Sequence, residues 1–425
     1  MTRADLTAIG STGLTHFDGR VYEEYLRELQ GDRWRRTLRE MIDQDPVIGA
    51  VLFAVEMLIR QVAWEVHAGA DDSASQEAAA LVRSALHDME TTWPDTLSEI
   101  LSFLPWGWSY FEILYKTRNG ESTDPTQHST ATDGRIGWRG WSIRSQDTLD
   151  GWDFDDHGTV RGLYQIAPPR YVRTLVPSEK ALHFRTTSRK GNPEGRSILR
   201  NAYRPWYFKK HIEGIEGIGI ERDLAGLPVA WVPEQLLAVD RTADEAAVYE
   251  AIRQIVTNIR RDEQEGIIFP LAYDGSGNKV YDLTLLSSGG GRQFNTDRIV
   301  QRYDAKIAMT VMADFLLLGH EKVGSFALAS SKTDLFSVAL GAWLDTICAV
   351  INSQAIPRLV RLNGMQRGAL PVLTHSDVET VDLAELGAYI SALTGAGMTL
   401  FPNEALETHL LKQAGLPVVD TQKDP

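Results

Sequence analysis

Few side chains in this sequence stand at the spacings that chemistry requires. His320-Glu321 opens an HExxH pattern, in which two histidines one helical turn apart hold zinc, but Gly324 occupies the second histidine's place. Lys332-Thr333 has the end of a phosphate-binding loop, yet residues 326–331 lack the glycine that such a loop needs. Gly214, Gly217 and Gly219 have the composition of a dinucleotide fingerprint in the wrong order, with no strand before them. No GxSxG elbow occurs, and the ten histidines do not fall at metal-ligand spacing with carboxylates. No catalytic residue, metal ligand or cofactor-binding residue is expected. The rival reading is an enzyme that assembles scattered residues around a small α/β core.

What the spacing does offer is charge in register. Within residues 292–336, Arg298, Arg302 and Lys306 recur four residues apart on one helical face. Val300, Tyr303, Ile307 and Val311 make a second face, and Asp297 and Asp304 lie on a third beyond it. On a monomer's surface such charges contribute about 0–1 kcal/mol per pair. Between identical helices side by side, the basic face of one would meet the acidic flank of the next. Gly319 then stops the helix, and His320, Glu321 and Lys322 form a polar loop before Gly324. An apolar helix precedes that loop and a small-residue run follows it, which places the loop at a solvent-filled boundary.

The elements that position these residues are legible from caps and periodicity. Asp45-Pro46 combines an N-cap with proline at the first helical position, predicting a helix over 47–60. Alternation predicts a strand over 61–67. Helices follow near 76–89 and 93–103, then strands at 106–115, 138–143, 151–154, 162–166 and 182–185. Trp138, Trp141 and Trp152 read as core or edge packing, a stacking platform being the rival use. A long helix is expected from Ser197 to Asp223, kinked at Pro205. Its glycines cost about 1 kcal/mol each relative to alanine, which points either to close approach of neighbouring backbones at Gly214, Gly217 and Gly219 or to a bend. Residues 227–287 read as a small α/β module: strands at 229–231, 267–269 and 280–285 around a helix over 243–260. A helix over 331–362, with apolar residues every three to four positions, and helices at 382–393 and 403–414 complete the chain.

At 425 residues the chain exceeds one compact core and suggests two to four domains. A net charge of -14 with no large basic patch argues against a protein that grips DNA tightly through its phosphates, and passage past a weakly repelling surface fits better. The single cysteine, Cys348, sits in an apolar helical pattern and reads as a core residue of a protein made in a reducing cytoplasm. The N-terminus has no apolar signal core, and the longest apolar run, 47–59, is too short to span a bilayer.

The order of these segments resembles the portal proteins of tailed phages, nearest to those of long-tailed and Mu-like phages. DPVIGAVLFAVEMLIRQVAWEV, residues 45–66, is similar to the opening of the portal wing domain. WGWSYFEILY, residues 106–115, resembles a wing strand in which a glycine precedes a Glu-Ile pair, and residues 195–233 resemble the end of the wing and the first stem helix. The likeness rests on order and character over much of the chain, not on a short invariant motif. It implies an α+β fold with an N-terminal arm (1–31), a wing (32–195), two stem helices (196–226 and 288–319) and an inserted α/β clip (227–287). A tunnel loop (319–330) and a helical crown (331–425) would follow; the crown is small for a family whose crown can extend into the capsid.

By the same resemblance the protein is structural and not an enzyme. It would form a homo-oligomeric ring of about twelve copies, closed by a heterologous contact. The ring would stand at one capsid vertex of the virion and conduct double-stranded DNA. Its partners would be the terminase large subunit, head-completion or adaptor proteins, and the major capsid and scaffold proteins, with no membrane and no cofactor. His320, Glu321 and Lys322 would face the DNA, and Asp297, Arg298, Arg302, Asp304 and Lys306 would join neighbouring stems. An adaptor or scaffold without DNA passage is the third reading.

Overall fold

The computed structural model describes residues 10–225, 227–258, 272–273, 275–286, 296–311, 326–365 and 368–378. It divides into two compact units, Met1–Tyr203 with Ile307–Pro425, and Arg204–Lys306. In chain order the first unit opens with a hairpin, β1 (His16–Phe17) and β2 (Arg20–Val21). Helices α1 (Gly31–Gln44) and α2 (Pro46–Gln61), strand β3 (Trp64–His67), and helices α3 (Ser73–His87), α4 (Trp93–Leu101) and α5 (Phe103–Trp106) follow. Six strands come next: β4 (Trp108–Thr117), β5 (Ile136–Ile143), β6 (Leu149–Phe154), β7 (Val160–Ile166), β8 (Arg173–Pro177) and β9 (Ala181–Arg185). The remaining elements are α6 (Tyr203–Ala225), β10 (Leu227–Trp231), α7 (Ala243–Asn258), β11 (Asp282–Leu286), α8 (Thr296–Met309), α9 (Phe326–Val350), α10 (Ile356–Leu362) and β12 (Val372–His375).

Local chemistry explains most boundaries. The Asp45 carboxylate accepts from the backbone N–H groups of Val47 and Ile48, each at 3.0 Å, and Pro46 takes the first position of α2. Asp72 caps α3 and Thr92 caps α4 in the same way. Gly107, in the left-handed region at φ 91°, ends α5 and turns the chain into β4; a Cβ there would lie 2.5 Å from the Glu194 carbonyl.

In the first unit β4 is the centre of an antiparallel sheet ordered β5-β4-β9, with a bulge at Leu114/Tyr115. A second antiparallel sheet, β6-β7-β8, joins it through the Tyr110 hydroxyl, which donates to the Val176 carbonyl at 2.9 Å. Strand β8 had no clear sequence signal, because its burial pattern is exposed at four of five positions and so lacks alternation. Trp138, Trp141 and Trp152 are all buried. Trp64, Trp93, Trp141 and Trp138 pack in series edge to face at 5.3–5.9 Å, and their indole N–H groups have no hydrogen-bond partner among the described residues.

Helices α9 and α10 and strand β12 fall in the segment expected as a crown, 331–425, and they pack into the core of the first unit. Here Phe336, Leu340, Leu344, Ile347, Ile351 and Leu359 share one core with Val51, Val55, Leu97, Phe111 and Phe184. Residues 335–362 are long and apolar enough to cross a bilayer, but their inner face is this core. The helix tolerates Pro357 by a π turn over Ile351–Ala355, in which the Ile356 N–H reaches back five residues to the Ile351 carbonyl. Beyond it β12 pairs antiparallel with β3, and the Asn352 amide clamps that strand, donating to the Leu373 carbonyl at 2.9 Å and accepting from its N–H at 2.8 Å.

In the second unit β10 and β11 form a two-stranded antiparallel sheet, with α7 between them in sequence. The strand expected at 267–269, the loop 319–325 and the helices expected at 382–393 and 403–414 lie outside the described residues.

Candidate subunit-contact site on the paired helices

Pro205 does not fall in the middle of a helix. Residues Ile198–Asn201 form a 3-10 turn and the α-helix begins at Tyr203, so Pro205 falls in the first turn, where its missing N–H has no intrahelical partner to lose. The expected kink is therefore replaced by a helix start. From there α6 continues through Gly214, Gly217 and Gly219 without a break.

Helices α6 and α8 lie antiparallel. Near one end the rings of Phe208 and Tyr303 stack at 6.3 Å. One residue along, the Lys209 ammonium stands 2.6 Å from Asp304 Oδ1, an ion pair with the lysine side chain only 4% exposed. At the other end the Thr296 hydroxyl donates to the Glu216 carboxylate. Helix α8 carries Asp297 in its first turn and Lys306 in its last, each complementing the helix dipole.

These contacts redistribute the charges singled out in the sequence. Arg298, Arg302 and Lys306 are all exposed, as is Asp297. The Arg302 guanidinium lies 5.3 Å from the Tyr303 ring centre and the Lys306 ammonium 5.7 Å from it. Asp304 is parted from Asp297: it turns toward α6, where buried Lys209 requires a counter-ion. Sequence reasoning missed Lys209, which reads as one more basic residue in Lys209-Lys210; only its burial distinguishes it.

A Cβ added at Gly214, Gly217 or Gly219 would meet nothing within 4 Å. Among the described residues no backbone outside the helix approaches them. Ile215 and Ile218 beside them are 68% and 51% exposed, and Tyr207 and Phe208 are also open. The pair of helices thus presents an apolar, glycine-bearing face on α6 and a basic face on α8. His320, Glu321 and Lys322 lie outside the described residues.

Among the described residues no group of three His, Cys, Asp or Glu side chains is placed to hold a metal ion. Cys348 is buried, and burial pushes its thiol up to about 11, so it is an inert core group.

Residues 36–411 match the family described as the portal protein of Mu bacteriophage. The chain belongs to that portal family. Among solved structures, a chain from the virion of a native gene transfer agent particle aligns with a TM-score of 0.51 at 13% identity, over 91% of this chain and 94% of that one. A chain from the neck of an empty particle of that kind, computed with C6 symmetry, gives 0.51 at 12% identity over 91% and 95%. Another, from the neck of the native particle computed with C12 symmetry, gives 0.50 at 12% over 91% and 94%. At such identity the likeness is one of fold, and it extends over nearly the whole length of both chains. No curated protein matches the sequence. This portal-family chain is mixed helix and strand throughout its described length.

Proposed function

We propose that this chain assembles into a closed ring at one vertex of a phage-like capsid and serves there as the conduit for double-stranded DNA. The observation that carries this reading is the family match over residues 36–411. The ring would hold about twelve copies, joined by one heterologous contact repeated until it closes. It would dock the terminase during packaging and head-completion or adaptor proteins afterwards, and it would turn over no substrate. Residues 32–195 would form the wing, 196–226 with 288–319 the stem, 227–287 the clip and 331–425 the crown. The open faces of α6 and α8 suit such a repeated contact, since an exposed glycine-and-isoleucine surface is otherwise a cost to a soluble monomer. Electron micrographs of the purified protein should show rings with a central hole. Particles that remain monomeric or dimeric at micromolar concentration by native mass spectrometry would overturn the reading and favour the enzyme or adaptor alternatives.

The charged face of α8 yields a sharper expectation. Arg302→Glu should raise the concentration at which rings dissociate by about tenfold, a loss of roughly 1.4 kcal/mol per contact. Asp297→Arg should partly restore them in a double-mutant cycle. Asp304 is unsuited to that cycle, because its reversal would bury a second cation against Lys209 in the same chain. Rings unchanged by Arg302→Glu in sedimentation velocity would assign these residues to ordinary surface.

Lys322, beside Glu321 and between Gly319 and Gly324, would line the narrowest part of the tunnel and touch phosphates transiently. Lys322→Ala should leave rings intact yet alter DNA retention or packaged length, and Lys322→Glu should do so more severely. Gel sizing of DNA from filled heads reads this directly; normal filling with Lys322→Glu would remove the loop from the tunnel.

A further inference from the structure

The first unit contains a cavity of about 590 Å³, walled by the N-terminal hairpin, the start of α1, the start of β6 and the loop after β9. Five carboxylates line it, and four are neutralised in place. Glu23 pairs with Lys190 at 2.9 Å, Asp32 with Arg35 at 2.6 Å and Asp150 with Arg173 at 2.6 Å, while Glu24 accepts from Arg200 at 2.8 Å. Glu194 is the fifth. Its Oε1 accepts one hydrogen bond, from the Trp152 indole N–H at 3.2 Å, and it forms no ion pair among the described residues. Trp34, Trp106 and Trp108 line the same space, and exposed Arg20, Arg189 and Arg196 stand around its opening.

A carboxylate held inside a wall with no ion-pair partner of its own, the nearby Arg35 already being engaged by Asp32, is costly in the empty cavity, and an incoming cation lowers that cost. Aromatic walls favour the same class of group. The arginines at the opening would repel a free small cation, but they suit one carried on a chain with acidic neighbours. We propose that this cavity receives an arginine or lysine side chain of a partner protein, from a segment in which that residue is flanked by carboxylates. Glu194 takes the cation, and Arg20, Arg189 and Arg196 take the flanking acids. Burial holds the Glu194 carboxyl above its ordinary range, outweighing the Trp152 hydrogen bond and the Arg35 charge, so these do not fully compensate it. The inference is independent of ring assembly and of DNA passage.

Calorimetric titration of the full chain with three peptides tests it: acetyl-Asp-Arg-Asp-amide, the same peptide with citrulline for arginine, and acetyl-Asp-Ala-Asp-amide. The arginine peptide should bind about tenfold or more tightly than the other two. Glu194→Gln, which keeps an oxygen for the Trp152 N–H, should abolish that preference, and Glu194→Asp should retain it in weakened form. Equal binding of all three peptides would show that the arginine rim acts alone and would overturn the proposal. Absence of saturable binding, or a preference that survives Glu194→Gln, would overturn it equally. Should Glu194→Gln fail to fold, the comparison of arginine with citrulline peptide on the unaltered chain decides.

Discussion

Replacing Asp88 with alanine should destabilise the first unit by about 3–5 kcal/mol, because the substitution strands a buried lysine. Asp88 ends α3, and its carboxylate collects the Ser129 hydroxyl at 2.6 Å, the Thr130 N–H at 2.6 Å and the Thr130 hydroxyl at 2.8 Å. The Lys116 ammonium lies 3.3 Å away, and the two side chains are 3% and 2% exposed. Lys116 also donates to the Asp88 and His128 carbonyls, so it has no route to water when its counter-ion is removed. A melting temperature lowered by on the order of 10 °C is the expected readout. Replacing both residues together, with methionine for Lys116, should recover much of the loss, since removing a whole buried pair costs less than removing half of it. A single Asp88→Ala change within 1 °C of the parent would contradict the account.

The same group carries a pH dependence whose sign is fixed. Burial tends to raise the Asp88 carboxyl, but the hydrogen bonds from Ser129 and Thr130 and the Lys116 charge outweigh it and hold it below the ordinary range. A depressed folded value contributes stability above the unfolded carboxylate value near pH 4, and that contribution is lost as pH falls through the folded value. His183 acts in the same acid direction. Its ring stacks on Trp152 at 5.1 Å, and burial, with the Arg185 charge, pushes it down to about 3. It stays neutral in the fold while the unfolded chain takes up a proton below about pH 6.5, so stability falls from there toward pH 3. Urea midpoints of Asp88→Asn should therefore converge on the parent's only below pH 4, whereas His183→Gln should flatten the slope between pH 6 and 4.

Truncating Leu344 to alanine should cost about 2–5 kcal/mol, the range for a fully buried leucine. Leu344 has no exposed surface and lies in the core that α9 shares with α2, α4, β4 and β9. The diagnostic feature is where the loss appears. If 331–362 were a separate crown, hydrogen exchange would quicken in that helix alone. With a shared core, amides of β4 and β9 should quicken with it. Protection unchanged in those strands would separate the two segments again.

Much of this protein is determined by sequence within reach of a few residues. Asp45-Pro46 starts α2 because a carboxylate and a missing N–H satisfy local needs wherever the helix later packs. The three-to-four-residue apolar spacing of 336, 340, 344 and 347 dictates a helix with a buried face, and the absence of ligand or nucleophile spacing follows from the side chains alone. The segment order that resembles portals is likewise a property of the linear chain, and the family match over 36–411 agrees with it.

Tertiary structure decided what depends on groups distant in the chain. Strand β12 pairs with β3 across some three hundred residues, and no local pattern says which edge strand it will join. Helix α9 packs against α2 and β4 because their apolar faces meet, although its own periodicity would suit any core or even a bilayer. Asp304 leaves the acidic flank of α8 for Lys209, since a lysine buried by a neighbouring helix takes the nearest carboxylate. Pro205 lies in the first turn of α6 instead of bending a longer helix, the residues before it forming a separate 3-10 turn. In each case periodicity specifies that a face will be buried or a charge paired, while the partner is chosen by approach in space, where desolvation and counter-ion energies are set.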